Sequence, residues 1–385
     1  MINTLDIPLS LYIHIPWCEK KCPYCDFNSH DNQQHFDESA YIHALLADLD
    51  QDLILFKSAS QKPIKSIFIG GGTPSLFSPK AYKKLLNHIN DRLNIHEAEI
   101  TLEANPSSSE QAKFVGYLEA GINRLSIGTQ SYNPLMLSII GRAHNQQEAM
   151  KAADSAIAAG FDNINLDIMF ALPKQTLQQA IEDIEQAIQF SPQHISCYQL
   201  TLEPNTLFYQ QKPKLPSNDT AWEMQEALQS RLADASYLQY EVSAYAQKGR
   251  QCQHNLNYWQ FGDYLAIGAG AHGKITRDSG IIERFWKQKQ PKKYMQSAKT
   301  KNRMGNHIVL EKEALAFEFM LNALRLKKGF PTQLFSSRTG LNYNNIQPLL
   351  KQHSESKLIH MVDQYIIPTD KGYQFIDSML NDYLP

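Results

Sequence analysis

The chain of 385 residues carries 37 Lys and Arg against 39 Asp and Glu, a formal net charge of −2, and 43% of its residues are hydrophobic. This composition is sufficient for a large buried core, and it excludes a disordered chain, a globally basic nucleic-acid coat and an acidic tail protein. No apolar run approaches the roughly 18 residues of a membrane-spanning helix. The start, MINTLDIPLS, lacks a basic region followed by an apolar stretch. The sequence therefore predicts a cytoplasmic protein of two or three domains.

The first part of the chain, residues 1–236, alternates short apolar runs with longer helical patterns. The predicted strands are residues 9–15, 64–69, 99–103, 124–127, 163–169 and 195–200. The helical patterns that follow them are residues 36–56, 79–93, 109–120, 146–159, 177–190 and 221–235. Because a helix follows every strand, the strands are expected to lie parallel. Six units are fewer than the eight of a closed barrel, so an α/β fold with a partial (β/α)6 barrel is expected, with ligands at the carboxyl ends of the strands.

The boundaries of several helices are marked by local signals. Ser78 precedes Pro79, which is typical of a helix cap followed by a first-turn proline. Gly121 and Gly160 follow helical patterns at the point where a left-handed residue often ends a helix.

After the predicted barrel the pattern changes. Residues 237–304 are expected to form a smaller α/β extension with strand-like pieces such as YEVSAYA and YLAIGAGA. It ends in a stretch, residues 284–303, with eight basic residues and no acidic one. We expect this stretch to be an exposed linker or a surface for anions. Residues 305–385 hold helical patterns followed by the hairpin-like LIHMVDQYIIPT, which predicts a winged-helix-like domain. It lacks a helix rich in Arg or Lys, so no nucleic-acid partner is expected.

Three of the five cysteines lie in YIHIPWCEKKCPYCDF, directly after the first predicted strand. Cys18, Cys22 and Cys25 have the spacing C-x3-C-x2-C, and thiols this close in a cytosolic chain indicate metal ligands. Three thiolates hold three irons of a four-iron cluster, which leaves the fourth iron open to an amine and a carboxylate. A structural zinc ion would instead need a fourth protein ligand, for which His14 and His30 are candidates.

The cysteine motif, with Tyr24 before its third cysteine, resembles that of the radical S-adenosylmethionine (SAM) superfamily. The segments IFIGGGTPS, TLEANP, RLSIGTQS and NLDIMFALP, together with Gly-Arg at 141–142, resemble the coproporphyrinogen oxidase-like branch of that superfamily. Within the branch, HNLNYW at 254–259 and GAGAH at 268–272 resemble the HemW group of heme chaperones. The oxygen-independent coproporphyrinogen III dehydrogenases (HemN) carry a fourth cysteine two positions after the third, where this chain has Phe27.

This resemblance implies a radical SAM barrel with a [4Fe-4S] cluster, SAM and heme, in a chaperone that transfers heme to acceptor hemoproteins, among them membrane respiratory proteins. It leaves open whether the chain is an enzyme, and it leaves room for peripheral membrane contact and for a homodimer. One alternative is oxygen-independent oxidative decarboxylation of coproporphyrinogen III, which Phe27 disfavours. Another is a radical enzyme that acts on a different tetrapyrrole.

The resemblance also implies roles for individual residues, with the three motif cysteines as cluster ligands. The residues that, by this resemblance, would contact SAM are Tyr12, Tyr24, Gly71, Gly72, Thr73, Glu103, Gln130, Arg142 and Asp167. The glycine loop would contact the methionine end through its backbone, and Arg142 would pair with the carboxylate. Glu103 would meet ribose hydroxyls or the amino group, and Asp167 would accept hydrogen bonds from ribose hydroxyls.

A histidine outside the predicted barrel is a candidate heme ligand. His254 opens HNLNYW, and histidine is a common axial ligand of heme iron. Tyr258 and Trp259 of the same motif can stack on a flat macrocycle. The alternative is a histidine that caps a turn beside an aromatic core. His272 of GAGAH is a second, weaker candidate.

Overall fold

The structure is a computed structural model that describes residues 2–31 and 36–385. Its strands are β1 Leu9–Ile15, β2 Trp17–Cys18, β3 His30–Asp31, β4 Ile64–Gly71, β5 Glu99–Ala104, β6 Arg124–Gln130, β7 Ile164–Phe170, β8 His194–Gln199, β9 Leu238–Glu241, β10 Ala244–Ala246, β11 Asp263–Ile267, β12 His272–Thr276, β13 Ile282–Lys287, β14 Met304–Val309, β15 Phe330–Pro331, β16 Ile359–Val362 and β17 Tyr365–Pro368.

The helices are α1 Glu38–Leu55, α2 Pro79–Asn90, α3 Ser108–Gln111, α4 Phe114–Glu119, α5 Pro134–Ile139, α6 Gln146–Ala158, α7 Leu177–Gln189, α8 Leu207–Gln211, α9 Asn218–Asp234, α10 Gln253–Trp259, α11 Pro291–Ser297, α12 Lys312–Ala323, α13 Thr332–Thr339, α14 Gln347–Glu355, α15 Asp370–Gln374 and α16 Ile376–Asn381. Helices α1 to α11 lie between the strands of the main sheet in the sequence, and α12 to α16 belong to the C-terminal part. None of the described helices is both long enough and apolar enough to span a membrane.

The predicted partial barrel is confirmed. Strands β1, β4, β5, β6, β7 and β8 correspond to the six predicted strands and pair in this order, every neighbouring pair being parallel. The helix predicted over residues 109–120 is divided into α3 and α4. The predicted boundary signals are also confirmed, since Ser78 caps α2 through the N–H of Ala81, and Gly121 and Gly160 have φ of 103° and 100°.

Apolar and polar side chains alternate along the parallel strands, so that the apolar side chains face the core and the polar side chains face the inside of the barrel. Successive side chains of a strand point to opposite faces of the sheet. On β6, Leu125 and Ile127 are fully buried in the main core, whereas Ser126, Gly128 and Gln130 line an inner cavity. The apolar residues therefore bind the helices to the sheet, and the polar residues between them are available for a site.

The extension continues the barrel sheet and forms no separate sheet within the described residues. Strands β10 and β9 follow β8 at one edge, and β11, β12, β13 and β14 follow β1 at the other, which makes one twelve-stranded sheet. Strand β11 is parallel to β1, with Leu9 opposite Asp263 and Ile13 opposite Ile267. The loop after β11 consequently lies at the same end of the sheet as the loop after β1, which carries the cysteine motif.

Residues 284–303 do not form a linker, and only part of this basic stretch is exposed, as at Lys289 and Lys301. This stretch includes β13 and α11, and two of its basic side chains are buried against carboxylates of α1. Lys287 Nζ lies 2.6 Å from Asp48 Oδ1 and 2.7 Å from Asp52 Oδ2. Arg303 contacts the same two carboxylates at 2.9 and 2.7 Å. The four side chains, here called the buried ion cluster, attach the extension to the barrel.

The C-terminal part has its own hydrophobic core and a winged-helix-like arrangement, as expected. Helices α12, α13 and α14 precede a small antiparallel sheet in the order β15-β17-β16. Phe319, Phe335 and Leu350, one from each helix, are fully buried in this second core together with Ile359 and Ile366 of the hairpin. Strand β14, at residues 304–309, still belongs to the main sheet. Phe261 and Ile282 of the extension are buried in the second core together with the residues from Leu310 onward.

Candidate functional site

A cavity of about 400 Å³ opens at the carboxyl ends of the parallel strands. Its walls include residues from the cysteine motif and from the loops or inner faces of β4 to β8. The predicted site residues that line it are Cys18, Cys22, Tyr24, Cys25, Gly71, Gly72, Thr73, Glu103, Gln130, Arg142 and Asp167. The structure therefore brings together residues that lie up to about 150 positions apart in the sequence, at the end of the sheet where parallel folds bind ligands.

The cysteine motif is held against the loop that follows β4. The N–H of Gly72 donates to the carbonyl of Ile15, and the N–H of Thr73 donates to the carbonyl of Trp17, both at 2.7 Å. Within the motif, the N–H of Cys25 donates to the carbonyl of Cys22 at 3.2 Å. These backbone hydrogen bonds place the three thiols and the glycine loop on one wall of the cavity.

The three thiols suit a four-iron cluster better than a zinc ion. Of the two histidines that could complete a zinc site, His14 already has partners for both ring nitrogens, the hydroxyl of Tyr12 at 3.0 Å and the carbonyl of Asn28 at 2.9 Å. The Nε2 atom of His30 is buried and has no hydrogen-bond partner in the described part of the chain. Among the described residues, no three His, Cys, Asp or Glu side chains are grouped around a single ion position. The thiolates of a four-iron cluster bind different irons and need not converge on one point, whereas a zinc ion requires four converging ligands.

The glycine loop allows a ligand to approach the backbone closely. Gly71 has a φ of +115°, which favours glycine, and a Cβ atom there would lie 2.4 Å from the ring of His14. At Gly72 a Cβ would lie 2.4 Å from the carbonyl oxygen of Trp17, which is a backbone atom and cannot rotate away. A side chain at Gly71 would displace the imidazole of His14, and one at Gly72 would displace the backbone next to Cys18.

Two carboxylates, Glu103 on β5 and Asp167 on β7, line the middle of the cavity. Burial raises the pKa of Glu103 to about 7, and the nearby charge of Asp167 adds to the shift, against a hydrogen bond from the N–H of Gly71 at 3.0 Å. Burial also raises the pKa of Asp167, although Asn165 and Ser126 donate hydrogen bonds to it at 2.8 and 3.3 Å. A ligand with hydroxyl or cationic donors would stabilise the ionised carboxylates.

In the cofactor-free protein, the free energy of unfolding is expected to decrease as the pH rises from about 5 to about 8. The folded state retains the Glu103 proton up to a pKa of about 7, whereas the unfolded chain releases it near 4.5, so ionisation in this window favours unfolding. Glu103→Gln keeps an oxygen acceptor for Gly71 and cannot ionise. The variant is expected to be more stable than the wild type by roughly 1–3 kcal/mol at pH 8.

Urea unfolding of both proteins at pH 5 and pH 8 measures this effect, with Glu223→Gln at an exposed position of α9 as the control. The control is expected to follow the wild type at both pH values. An equal pH dependence in the Glu103→Gln variant and the wild type would contradict the expectation.

Arg142 is held by a network of hydrogen bonds beside the cysteine motif. Its guanidinium Nη2 donates to Asn105 Oδ1 at 2.7 Å and to the carbonyl of Gly128 at 2.8 Å, and Nη1 lies 3.6 Å from Cys22 Sγ. Gln130, with a φ of +67°, accepts a hydrogen bond from the hydroxyl of Tyr198 at 2.6 Å. The fixed guanidinium next to the thiols can bind a ligand carboxylate.

Several lining residues were not identified from the sequence. Among them are Asn105, Ser126, Ser196 and Tyr198. A signal for them was present, because each stands two positions from another polar residue in an otherwise apolar strand. Tyr198 follows Ser196 in this way on β8, and such a period of two places both side chains on the same face.

Two predicted residues do not line this cavity, Tyr12 and His254. Tyr12 lies behind the glycine loop and contacts a second cavity. His254 is 1% exposed, and both its ring nitrogens have partners, Ser66 Oγ at 2.9 Å and the hydroxyl of Tyr258 at 2.8 Å. The structure thus shows His254 inside a polar and aromatic core, with no ring nitrogen available to an iron.

The fold and the site define the class of protein. Residues 12–187 match the Radical SAM superfamily, and residues 310–375 match the HemN C-terminal domain. A solved structure of coproporphyrinogen III oxidase (HemN) from Escherichia coli, described as a radical SAM enzyme, superimposes with a TM-score of 0.82 over 98% of this chain and 90% of that chain. At 22% identity this likeness concerns the fold alone. The fold is that of a radical SAM protein.

Similar sequences define the family more narrowly. The chain is 47% identical over 384 residues to "Heme chaperone HemW" of Haemophilus influenzae, covering 98% of each chain. It is 46% identical over 383 residues to the protein of the same name in Escherichia coli, again covering 98% of each. The relative in Bacillus subtilis is 36% identical over 375 residues, covering 94% of this chain and 96% of that one. The chain belongs to the HemW family.

Proposed function

We propose that this protein is a cytoplasmic heme chaperone that holds a [4Fe-4S] cluster and SAM, binds heme and transfers it to acceptor hemoproteins. The observation that carries the proposal is the similarity over 98% of the chain to relatives named heme chaperones. The cavity supports the cofactor part, because it combines three thiols, a glycine loop and an arginine at one sheet end.

Each part of the first cavity has a distinct task in this proposal. Cys18, Cys22 and Cys25 would hold three irons, and the cluster, when bound, supplies a free iron coordination site for the amine and carboxylate of SAM. Arg142 would pair with that carboxylate, since its guanidinium is already oriented by Asn105 and Gly128. Glu103 and Asp167 would accept hydrogen bonds from ribose hydroxyls, and the glycine loop would accommodate the methionine end.

A test begins with anaerobic reconstitution of the full chain with iron and sulfide. The reconstituted protein is expected to hold about four irons per chain, to bind SAM, and to bind heme without converting it. Heme-loaded protein is then mixed with the heme-free form of a respiratory cytochrome. The expected result is the absorption of the mature cytochrome, with a matching loss of chaperone-bound heme. Reconstituted protein that binds no heme contradicts the proposal.

The alternative, oxidative decarboxylation of coproporphyrinogen III, is tested in the same preparation. Phe27 occupies the position at which HemN-type dehydrogenases carry a further cysteine, and its side chain is 58% exposed between the two cavities. We therefore expect no protoporphyrinogen IX after incubation with coproporphyrinogen III, SAM and a reductant. Its formation would replace the chaperone proposal with an enzymatic one. Contact with a membrane surface and homodimerisation stay predictions.

A further inference from the structure

A second cavity, of about 800 Å³, lies beside the cysteine motif on the side of the extension. It is separate from the first cavity, which the three motif cysteines line, but Phe27 lines both cavities. Its volume is within the range of pockets that enclose ligands of a few tens of atoms. The position next to the cluster loop makes it a candidate for the cargo site.

One wall of the second cavity is aromatic. Tyr258 and Trp259 of α10 and Tyr264 of β11 all line it. The rings of Tyr258 and Tyr264 are 4.5 Å apart in an edge-to-face arrangement. The indole N–H of Trp259 is buried and has no acceptor among the described residues. Such a wall offers apolar ring surface to a flat ligand and one unused donor to a polar group on it.

The opposite side carries a histidine in an open position. His272, the first residue of β12, lines the cavity and is stacked on Trp286 of β13, with ring centroids 5.7 Å apart and planes at 16°. No hydrogen bond occupies its ring within the part of the chain that the structure describes. Partial burial lowers the pKa of His272, and the charges of Lys289 and Arg284 lower it further. This direction favours the neutral imidazole, the form that binds metals.

The loop that precedes His272, residues 268–271, is fixed by hydrogen bonds to other parts of the chain. It packs on the cysteine motif, because Asn28 Nδ2 donates to the carbonyl of Ala269 at 2.9 Å. A Cβ at Gly270 would lie 2.3 Å from that amide nitrogen, so the contact requires a glycine. The N–H of Gly268 donates to the hydroxyl of Tyr294 at 2.9 Å, and this hydroxyl donates to Asp48 of the buried ion cluster.

The edge of the cavity is basic. Lys21 and Lys289 line it, with Asp26 as the acidic residue among the lining side chains. Neither lysine forms an ion pair within the described ranges 2–31 and 36–385. The carboxylates of a flat ligand could bind these two lysines, while the flat surface of the ligand contacts the aromatic wall.

We propose that the second cavity is the heme site, with His272 as an iron ligand, Tyr258 and Trp259 beside the macrocycle and Lys289 near the propionates. This inference rests on the proposed heme-chaperone function and assigns its cargo to one place. His254 is then a positioning residue, which holds the hydroxyl of Tyr258 at the cavity wall from inside the core.

The test is a titration of ferric heme into the reconstituted full-length protein, followed by Soret absorption and electron paramagnetic resonance. His272→Ala is expected to weaken heme binding by about tenfold or more and to remove the signature of histidine ligation. Free imidazole is expected to restore that signature, which loss of packing would not allow. His360→Ala, at an exposed histidine of the C-terminal hairpin, is the control and is expected to bind heme like the wild type.

Two further variants test the rest of the site. His254→Gln is expected to weaken binding less than His272→Ala, and imidazole is not expected to change its spectrum. Lys289→Gln is expected to weaken binding several-fold at low salt, whereas Lys301→Gln, at an exposed lysine away from the cavity, leaves it unchanged.

The outcomes separate the two proposals. If the wild type binds heme and His272→Ala binds it with equal affinity and an unchanged spectrum, the site is wrong while the chaperone function stands. If imidazole rescues His254→Gln but not His272→Ala, His254 is the ligand and this assignment is overturned. If the wild type binds no heme at all, both proposals fail.

Discussion

Replacing Cys22 with Ser is expected to abolish retention of the iron–sulfur cluster. A serine hydroxyl has nearly the shape of a thiol, but it does not ionise near neutral pH and is a poor ligand for iron in a sulfide cluster. Cys22 is also the thiol next to Arg142, at 3.6 Å. The iron content after anaerobic reconstitution is expected to fall from about four per chain to less than about one. Affinity for SAM is expected to fall with it, because the open iron is lost.

Measurements of iron, inorganic sulfide and visible absorbance check this result, and Cys197→Ala is the matched control. Cys197 is 5% exposed on β8 and packs in the main core. Its replacement removes a thiol of the same chemistry but leaves the three motif thiols in place, so full cluster content is expected. A Cys22→Ser protein with wild-type iron and sulfide would contradict the assignment of the cluster. Zinc bound in equal amounts by both proteins would contradict it as well.

Replacing Lys287 with Met is expected to lower the free energy of unfolding by about 3–5 kcal/mol. Lys287 is fully buried, and its ammonium group donates to Asp48 at 2.6 Å and to both oxygens of Asp52 at 2.7 Å. Met has a similar volume, so little packing is lost. The cost arises because the two buried carboxylates then have one cation between them, Arg303.

Urea unfolding at pH 7 measures this difference, and Lys301→Met provides the control. Lys301 belongs to the same basic stretch but is exposed and takes no part in an ion pair of the described residues, so a change of less than about 0.5 kcal/mol is expected. The buried ion cluster also supports the loop at residues 268–271 through Tyr294. Lys287→Met is therefore expected to weaken heme binding in addition. A variant as stable as the wild type would show that the ion cluster does not attach the extension.

Much of the candidate site was accessible from the sequence because its signals are local. The spacing of Cys18, Cys22 and Cys25 is short, and each strand–helix unit has its own hydrophobic period, so the six strands and the end of the sheet at which ligands bind could be inferred in advance. The loops after those strands then had to converge, since the carboxyl ends of parallel strands share one edge. Asn105 and Tyr198 lie in or just after predicted strands, but the resemblance assigns them no role, and only the period of two that they share with Glu103 and Ser196 indicates the inner face.

Sequence patterns are least informative for residues whose environment is set by distant parts of the chain. The basic stretch was expected to be exposed, since lysine and arginine are seldom buried without partners. The partners of Lys287 are 239 and 235 positions away on α1, and no local pattern indicates them. The residue type of His254 predicts a heme ligand, and this stays a prediction. No local pattern indicates that Ser66, 188 positions away, forms a hydrogen bond with its ring, as Tyr258 does on the other nitrogen.

By itself the sequence determined the cysteine motif, the six parallel strands, the winged-helix-like end and the family resemblance, since each depends on residues close together in the chain or on matched motifs. Only the tertiary structure decided which side chains line each cavity, which charges are buried and which histidine faces an open space. The physical reason is that burial and charge pairing depend on contacts between segments hundreds of residues apart. Such contacts arise only when β11 to β14 extend the barrel sheet beyond β1.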